Sequence, residues 1–138
     1  MKKQLIILVF IFLSYVNLNA QNYIGIKRSM IELRFGSPDE KGTDYFMYFD
    51  KSEEGTNTYY FDEHNKCNAF IISRSAKYFK DYKNMLNQDF EQTPDNIYIC
   101  KKKNFLAKVK KSNNDFKIII TKIEDRKSEI NIAEVSNN

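Results

Sequence analysis

Six short runs rich in aromatic and β-branched residues constrain this chain of 138 residues more than any other feature. Residues of these types favour β-strands, and polar turn residues separate one run from the next. The runs are DYFMYFD (44–50), TNTYYFDE (56–63), CNAFIISR (67–74), NIYIC (96–100), NFLAKVK (104–110) and DFKIIITKI (115–123). The sequence therefore predicts a fold built from antiparallel β-hairpins, one of which turns at 62–66, where Asn65 tolerates the left-handed conformation.

Two helical patterns lie between these runs. The first spans 25–38, and its apolar stripe is Ile26, Met30 and Leu33, with Ile31 and Phe35 beside it. Gly36 suits the positive φ angle that ends many helices, and Pro38 cannot continue the helix. A second helix is predicted after the N-cap Ser75, with an apolar stripe that runs on through Phe90.

The order helix, three strands, helix, three strands predicts an α+β fold of two similar units. Each unit, 23–74 and 75–124, is a helix followed by a three-stranded antiparallel sheet. The alternative is one α+β sheet in which helices and strands alternate by chance. The two units together form a single domain over 21–126, followed by a polar C-terminal tail over 127–138.

The first twenty residues have the three regions of a secretory signal peptide. Lys2 and Lys3 precede an uncharged apolar run over 5–13, and Ala20 offers a small residue for cleavage. A membrane anchor is the alternative, but this run is about half of the ~20 residues that a spanning helix needs. We expect cleavage near Ala20, with no lipid anchor because Gln21 is not a cysteine, and a secreted or periplasmic protein.

Removal of Lys2 and Lys3 with this leader lowers the formal net charge from +4 to +2. So small an excess does not call for an anionic partner, and export argues against nucleic acid. Export also makes Cys67 and Cys100 candidates for one disulfide, because the compartment is oxidising. The alternative is that a cysteine in a strand acts as a small apolar residue.

This sequence contains few residues suited to catalysis or metal binding. His64, the only histidine, lies near Asp62, Glu63 and Cys67, but turn chemistry already accounts for Asp62, and strand alternation separates the others. Glu53 and Glu54 fall in a polar loop and are predicted to be solvated. We expect no metal, no other cofactor and no enzymatic activity.

Aromatic side chains on the second and third runs are the best candidates for a binding surface. Strand alternation places Thr58 and Tyr60 on one side and Tyr59 with Phe61 on the other. One side must form the core, and the other is either covered or presented to a partner. The candidate partner-binding residues are Tyr45, Tyr48, Tyr59 and Tyr60.

Lysines cluster between positions 101 and 111 and form a basic patch, in which the candidates are Lys101, Lys103, Lys108 and Lys110. Such a run is usually a solvated face. The alternative is weak contact with anionic lipid headgroups in the cell envelope.

The first predicted unit, 23–74, carries a spaced pattern at Gly25, Ile31, Phe35, Gly36 and Pro38. In this pattern it resembles the SmpA/OmlA domain, a small lipoprotein family of the bacterial outer-membrane β-barrel assembly machinery. The chain departs from the family at Lys27, where a capping Ser or Thr is usual, and by lacking the lipid-accepting cysteine. Tandem helix-plus-sheet units are also similar to the β-lactamase-inhibitor-protein-like fold, whose members bind proteins on a concave sheet.

These observations together predict an exported, non-enzymatic and monomeric interaction module of the bacterial cell envelope. It would bind an envelope or secreted protein through its sheet. The alternative is a periplasmic protein that binds a small ligand or lipid in an apolar pocket between helix and sheet.

Overall fold

A computed structural model of the chain describes residues 23–100 and 104–123. Its helices are α1 (Arg28–Phe35) and α2 (Phe79–Asp89), and a 3₁₀ turn (Ala76–Tyr78) leads into α2. Its strands are β1 (Glu40–Lys41), β2 (Tyr45–Asp50), β3 (Gly55–Phe61), β4 (Cys67–Ser75), β5 (Phe90–Gln92), β6 (Ile97–Cys100), β7 (Phe105–Lys111) and β8 (Asp115–Lys122). The predicted signal peptide and the whole of the polar tail, 127–138, lie outside the described residues.

All eight strands form one antiparallel sheet in the order β1-β2-β3-β4-β8-β7-β6-β5. The predicted pair of units, each with its own three-stranded sheet, is therefore wrong. The reason is the long ladder between β4 and β8, which runs from Ala69 opposite Thr121 to Ser75 opposite Asp115. This ladder joins the last strand of each predicted unit, while β1 and β5 add edge strands that the sequence pattern did not indicate. Over residues 23–100 and 104–123, the fold is dominated by its sheet and carries two short helices.

Both helices pack on the same side of the sheet, which we call the helix face. Ile31 of α1 and Tyr82 and Leu86 of α2 belong to one buried cluster with side chains from seven of the strands. The strand residues of this cluster alternate along the chain, as in Phe70 and Ile72 or Ile118 and Ile120. The hydrophobic core therefore lies between the helices and one face of the sheet.

Helix α1 turns a different side to the sheet from the one its sequence predicts. Ile31 is its buried residue, whereas Met30 is exposed and Leu33 is 78% exposed. Of the predicted stripe, Met30 and Leu33 therefore face away from the core, and only Ile26, which precedes the helix, packs against it. The predicted end of the helix is confirmed, because Gly36 has φ of +81° and its N–H donates to the Glu32 carbonyl.

Helix α2 follows its predicted pattern in the middle but not at its ends. Tyr82 and Leu86 are buried as expected. Ser75 makes no side-chain capping bond, and the chain enters α2 through the 3₁₀ turn. Phe90 leaves the helix to begin the edge strand β5, where it lies opposite Cys100. A strand partner outside the local sequence therefore decides where α2 ends.

A buried arginine connects the loop after β2 to the sheet through ion pairs and hydrogen bonds. The Arg74 side chain is 3% exposed and forms ion pairs with Asp50 and Glu53. Its guanidinium also donates to the carbonyls of Thr56 and Ser73 and to the side chain of Asn57. The Tyr82 hydroxyl donates to Glu53 from α2. The expectation that Glu53 is simply solvated was wrong, because its carboxylate neutralises a buried charge.

Candidate functional site

The sheet has a second side, opposite the helices, which we call the back face. Strand register assigns its side chains to rows that run across the sheet. One row is Tyr45, Tyr60, Ala69, Thr121, Leu106 and Ile99; the next is Met47, Thr58, Ile71, Ile119, Lys108 and Ile97. These two rows form an almost continuous band of apolar and small side chains across six strands. At a spacing of ~4.8 Å per strand the band is about 24 Å long.

The band is closely packed at its centre and accessible at its two ends. Ile71 and Ile119 are only 6% and 5% exposed and form a small cluster with Ala69, against which Tyr60 packs. At the β6 end, Ile99 is 43% exposed, and at the β2 end Phe49, which lies one row beyond the band on the same face, is 54% exposed. An aromatic ring and a branched aliphatic chain in contact with water are an unfavourable arrangement that a partner could relieve.

The four tyrosines proposed for partner binding do not share one surface. Tyr45 and Tyr60 lie on the back face, where their ring centroids are 5.9 Å apart. Tyr48 and Tyr59 point to the helix face instead. Strand alternation along β3 was correctly predicted: Thr58 and Tyr60 lie on one side, and Tyr59 and Phe61 are buried on the other. The sequence did not show which side the helices would cover.

Hydrogen bonding distinguishes these tyrosines further. The Tyr45 hydroxyl donates to the Glu40 carboxylate, and this bond raises the pKa of Tyr45. Burial raises the pKa of Tyr60 as well. On the other face, Tyr48 donates to the Gly36 carbonyl at 3.0 Å, while burial drives the pKa of Tyr59 far above its ordinary value. Tyr48 and Tyr59 therefore belong to the packing between α1 and the sheet.

The basic patch is only partly within the described residues. Lys101 and Lys103 lie outside them. Lys108 and Lys110 are on the back face of β7, where Lys108 is opposite Ile119 and Lys110 is opposite Lys117. The neighbouring Lys111 points to the helix face, with its ammonium 4.5 Å from the centroid of the Phe79 ring. The back face is thus basic on β7, the strand next to the β6 end of the band.

Cys67 and Cys100 are both buried and are not joined in a disulfide. Strands β8 and β7 lie between β4 and β6, so the two residues are three strands, or about 14 Å, apart across the sheet. A disulfide needs Cα atoms within about 7 Å, so the predicted bond does not fit this topology. Burial raises the pKa of the Cys67 thiol to about 12.

The turn that contains His64 has a structural role. The Asp62 carboxylate accepts hydrogen bonds from the backbone N–H groups of His64 and Lys66, both at 2.9 Å. Asn65 takes the left-handed conformation expected for this turn, with φ of +56°. His64 is largely exposed beside Glu63. Within 23–100 and 104–123, no group of three or more His, Cys, Asp or Glu side chains is placed to hold a metal ion.

An apolar hollow beside α1 is the nearest equivalent of the predicted ligand pocket. Its volume is about 170 Å³, and it is lined by Tyr23, Ile26, Met30, Ile31, Leu33 and Arg34. Pockets that bury a small-molecule ligand usually measure ~300 to 1,000 Å³. This hollow is too small for that role.

Sequence reasoning missed two of the most exposed members of the back face, Phe49 and Ile99. Strand alternation could have indicated them. Phe49 is four residues from Tyr45 along β2 and so shares its face, and Ile99 is next to the buried Tyr98 and so points to the opposite face. This argument works only after one side of the sheet is known to be the core.

Comparison of the chain with protein-family models, curated proteins and solved structures found no match. The resemblance to the SmpA/OmlA domain therefore stays a prediction. Of the described part of the chain, neither helix has the length and apolar content needed to span a membrane. Function has to be argued from the geometry of the surfaces.

Proposed function

We propose that this protein is an exported, non-enzymatic interaction module of the cell envelope that binds a protein partner through the back face of its sheet. The observation that supports the proposal most strongly is the apolar band, which crosses six strands, ends in the exposed side chain of Ile99 on β6 and is flanked at its β2 end by the exposed side chain of Phe49. These two exposed side chains lie on the face opposite the helices, where a partner could cover them.

The charged side chains of the back face restrict which partner surfaces would be complementary to it. Lys108, which lies within the second row of the band, is exposed, and Lys110, two residues further along β7 on the same face, is half-buried. The β2 end is instead aromatic and aliphatic, with Phe49 and Met47. A complementary surface would present apolar side chains to the accessible ends of the band, near Phe49 and Ile99, and carboxylates to Lys108 and Lys110. Tyr45 and Tyr60 add flat ring area with polar tips, which suits the rim of such an interface.

The test uses matched charge substitutions in the full chain, expressed so that it is exported. Phe49→Asp and Ile99→Asp each place a carboxylate at one end of the back face. Leu33→Asp is the control, because Leu33 is even more exposed but lies on α1, on the other side of the sheet. Circular dichroism should show all three variants folded, since none of these side chains belongs to the core.

Capture from envelope extract, followed by crosslinking to a back-face residue, gives the readout. We expect one dominant protein to be retained by the wild-type chain and by Leu33→Asp, and its retention to fall about tenfold or more in both back-face variants. Loss of binding only in Leu33→Asp would move the interface to α1 and overturn the proposal. Recovery of lipid without a protein would favour the ligand-binding alternative.

A further inference from the structure

A second, separate surface lies at the edge of the helix face, between the start of α1 and the turn from β1 to β2. An open groove of about 650 Å³ is found there. Its lining includes the cationic residues Lys27, Arg28 and Lys41, the histidine His64, and a single carboxylate, Glu32. We infer that this groove binds a doubly charged oxyanion, of the class of phosphate monoesters.

The position of Arg28 is fixed by the protein. Its guanidinium donates to the carbonyls of Thr43 at 2.7 Å and Gly42 at 2.9 Å. It also stacks over the ring of Phe46, with Cζ 4.3 Å from the ring centroid. An arginine held in this way is already ordered before any ligand arrives, so little conformational entropy is lost on binding.

Lys41 brings a second positive charge to the same ring. Its ammonium is 5.1 Å from the Phe46 centroid, so the charges of Arg28 and Lys41 lie within roughly 10 Å of each other, which is about one Debye length. Among residues 23–100 and 104–123, neither side chain forms an ion pair with a carboxylate, and neither does Lys27. Two like charges with no counter-charge between them repel unless an anion lies between them.

The local sequence adds to this excess of positive charge. Lys27 and Arg28 stand at the first residues of α1, where a helix favours negative charge, and the first turn contains no acidic residue. The helix end is not the site by itself, because the binding groups are the side chains on both sides of the groove. With three cations and the one carboxylate of Glu32, the lining carries two net positive charges, which matches a dianion.

This groove is independent of the back face, because it opens on the side of the sheet that carries the helices. A phosphate group could come from a soluble phosphate ester or from a lipid headgroup. The chemistry recognised is the same, and the two sources can be separated by experiment.

The test measures amide chemical shifts of the exported, purified protein during titration with inorganic phosphate at constant ionic strength, with chloride as the reference anion. Lys27→Gln/Lys41→Gln removes two charges from the groove. Lys51→Gln/Lys83→Gln removes two charges from exposed positions elsewhere and is the matched control. Arg28 is left unchanged because its contacts with Phe46, Gly42 and Thr43 support the fold.

We expect saturable amide shifts at Lys41, Gly42 and Thr43 in the wild-type protein and in the control. In the groove variant, the affinity for phosphate should be lower by about tenfold or more. Glycerol phosphate should compete with inorganic phosphate. Sedimentation with vesicles of phosphatidylcholine and phosphatidic acid tests whether the phosphate group comes from a lipid headgroup. It does if the wild-type protein and the control bind the vesicles and the groove variant does not. Equal shifts with chloride, or equal binding by the groove variant and its control, would overturn the inference.

Discussion

Replacing Arg74 by methionine tests the account of the buried ion pairs most directly. The guanidinium forms five hydrogen bonds, at distances from 2.8 to 3.1 Å. Methionine fills a similar volume but leaves the carboxylates of Asp50 and Glu53 without their cation. Removing one partner of a buried ion pair costs about 3 to 5 kcal/mol. Because both carboxylates keep some contact with solvent, we expect a loss near the lower end, about 3 kcal/mol.

Urea unfolding at neutral pH measures this loss. The control is Lys77→Met, which removes a cation from the exposed ion pair with Glu54 and should change the free energy of unfolding by less than about 1 kcal/mol. The slope of the free energy with urea should stay the same in both variants, since each buries the same surface. A loss below about 1 kcal/mol for Arg74→Met would refute the reasoning, because it would mean that water replaces the arginine at little cost.

The dependence of stability on pH gives a second readout of the same cluster. Burial acts against ionisation of Asp50, but hydrogen bonds from Ser52 and the charge of Arg74 outweigh it and lower the pKa of the carboxyl below its ordinary value of 3.8. A carboxyl with a lowered pKa stabilises the fold above its unfolded pKa, and this stabilisation is lost as the pH falls through the folded value. In Arg74→Met the folded pKa of Asp50 rises, so the variant should lose less stability than wild type on acidification below pH 5.

Two further predictions concern single positions. Gly36→Val should lower the free energy of unfolding by about 1 to 3 kcal/mol, because Gly36 combines φ of +81° with ψ of −167°, a region that side chains disfavour; Ser37→Val is the control, and equal unfolding midpoints would contradict the argument. Thiol titration of the unfolded, unreduced protein should count two sulfhydryls from Cys67 and Cys100. In the folded protein at pH 8, a pKa of about 12 leaves roughly one Cys67 thiol in 10⁴ ionised, so rapid alkylation of Cys67 would show that it is not buried.

Several features of the fold depend only on neighbouring residues and follow from the amino-acid sequence. Six of the eight strands lie where aromatic and β-branched runs predict them, within one or two residues at each end. Gly36 and Asn65 have the positive φ angles that their local turns require. These features could be predicted because alternation, turn chemistry and backbone sterics act over only a few residues.

The binding surfaces could be predicted only in part. The sequence indicated aromatic side chains on both sides of β2 and β3, but the positions of the helices decided that Tyr45 and Tyr60 share a face and that Tyr59 enters the core. The basic groove left no local signal, because Arg28 and Lys41 are thirteen residues apart and meet only around the ring of Phe46.

The pairing of strands across the middle of the sheet depends on residues far apart in the chain and could not be predicted from the sequence. The ladder between β4 and β8 joins Ile71 to Ile119, which are separated by a helix and three other strands in the chain. That one pairing merges the two predicted units, separates Cys67 from Cys100 and sets the length of the back-face band. The alternation of residues along a strand specifies which side chains share a face. It does not specify which other strand pairs with its edge, since backbone N–H and C=O groups are the same in every strand.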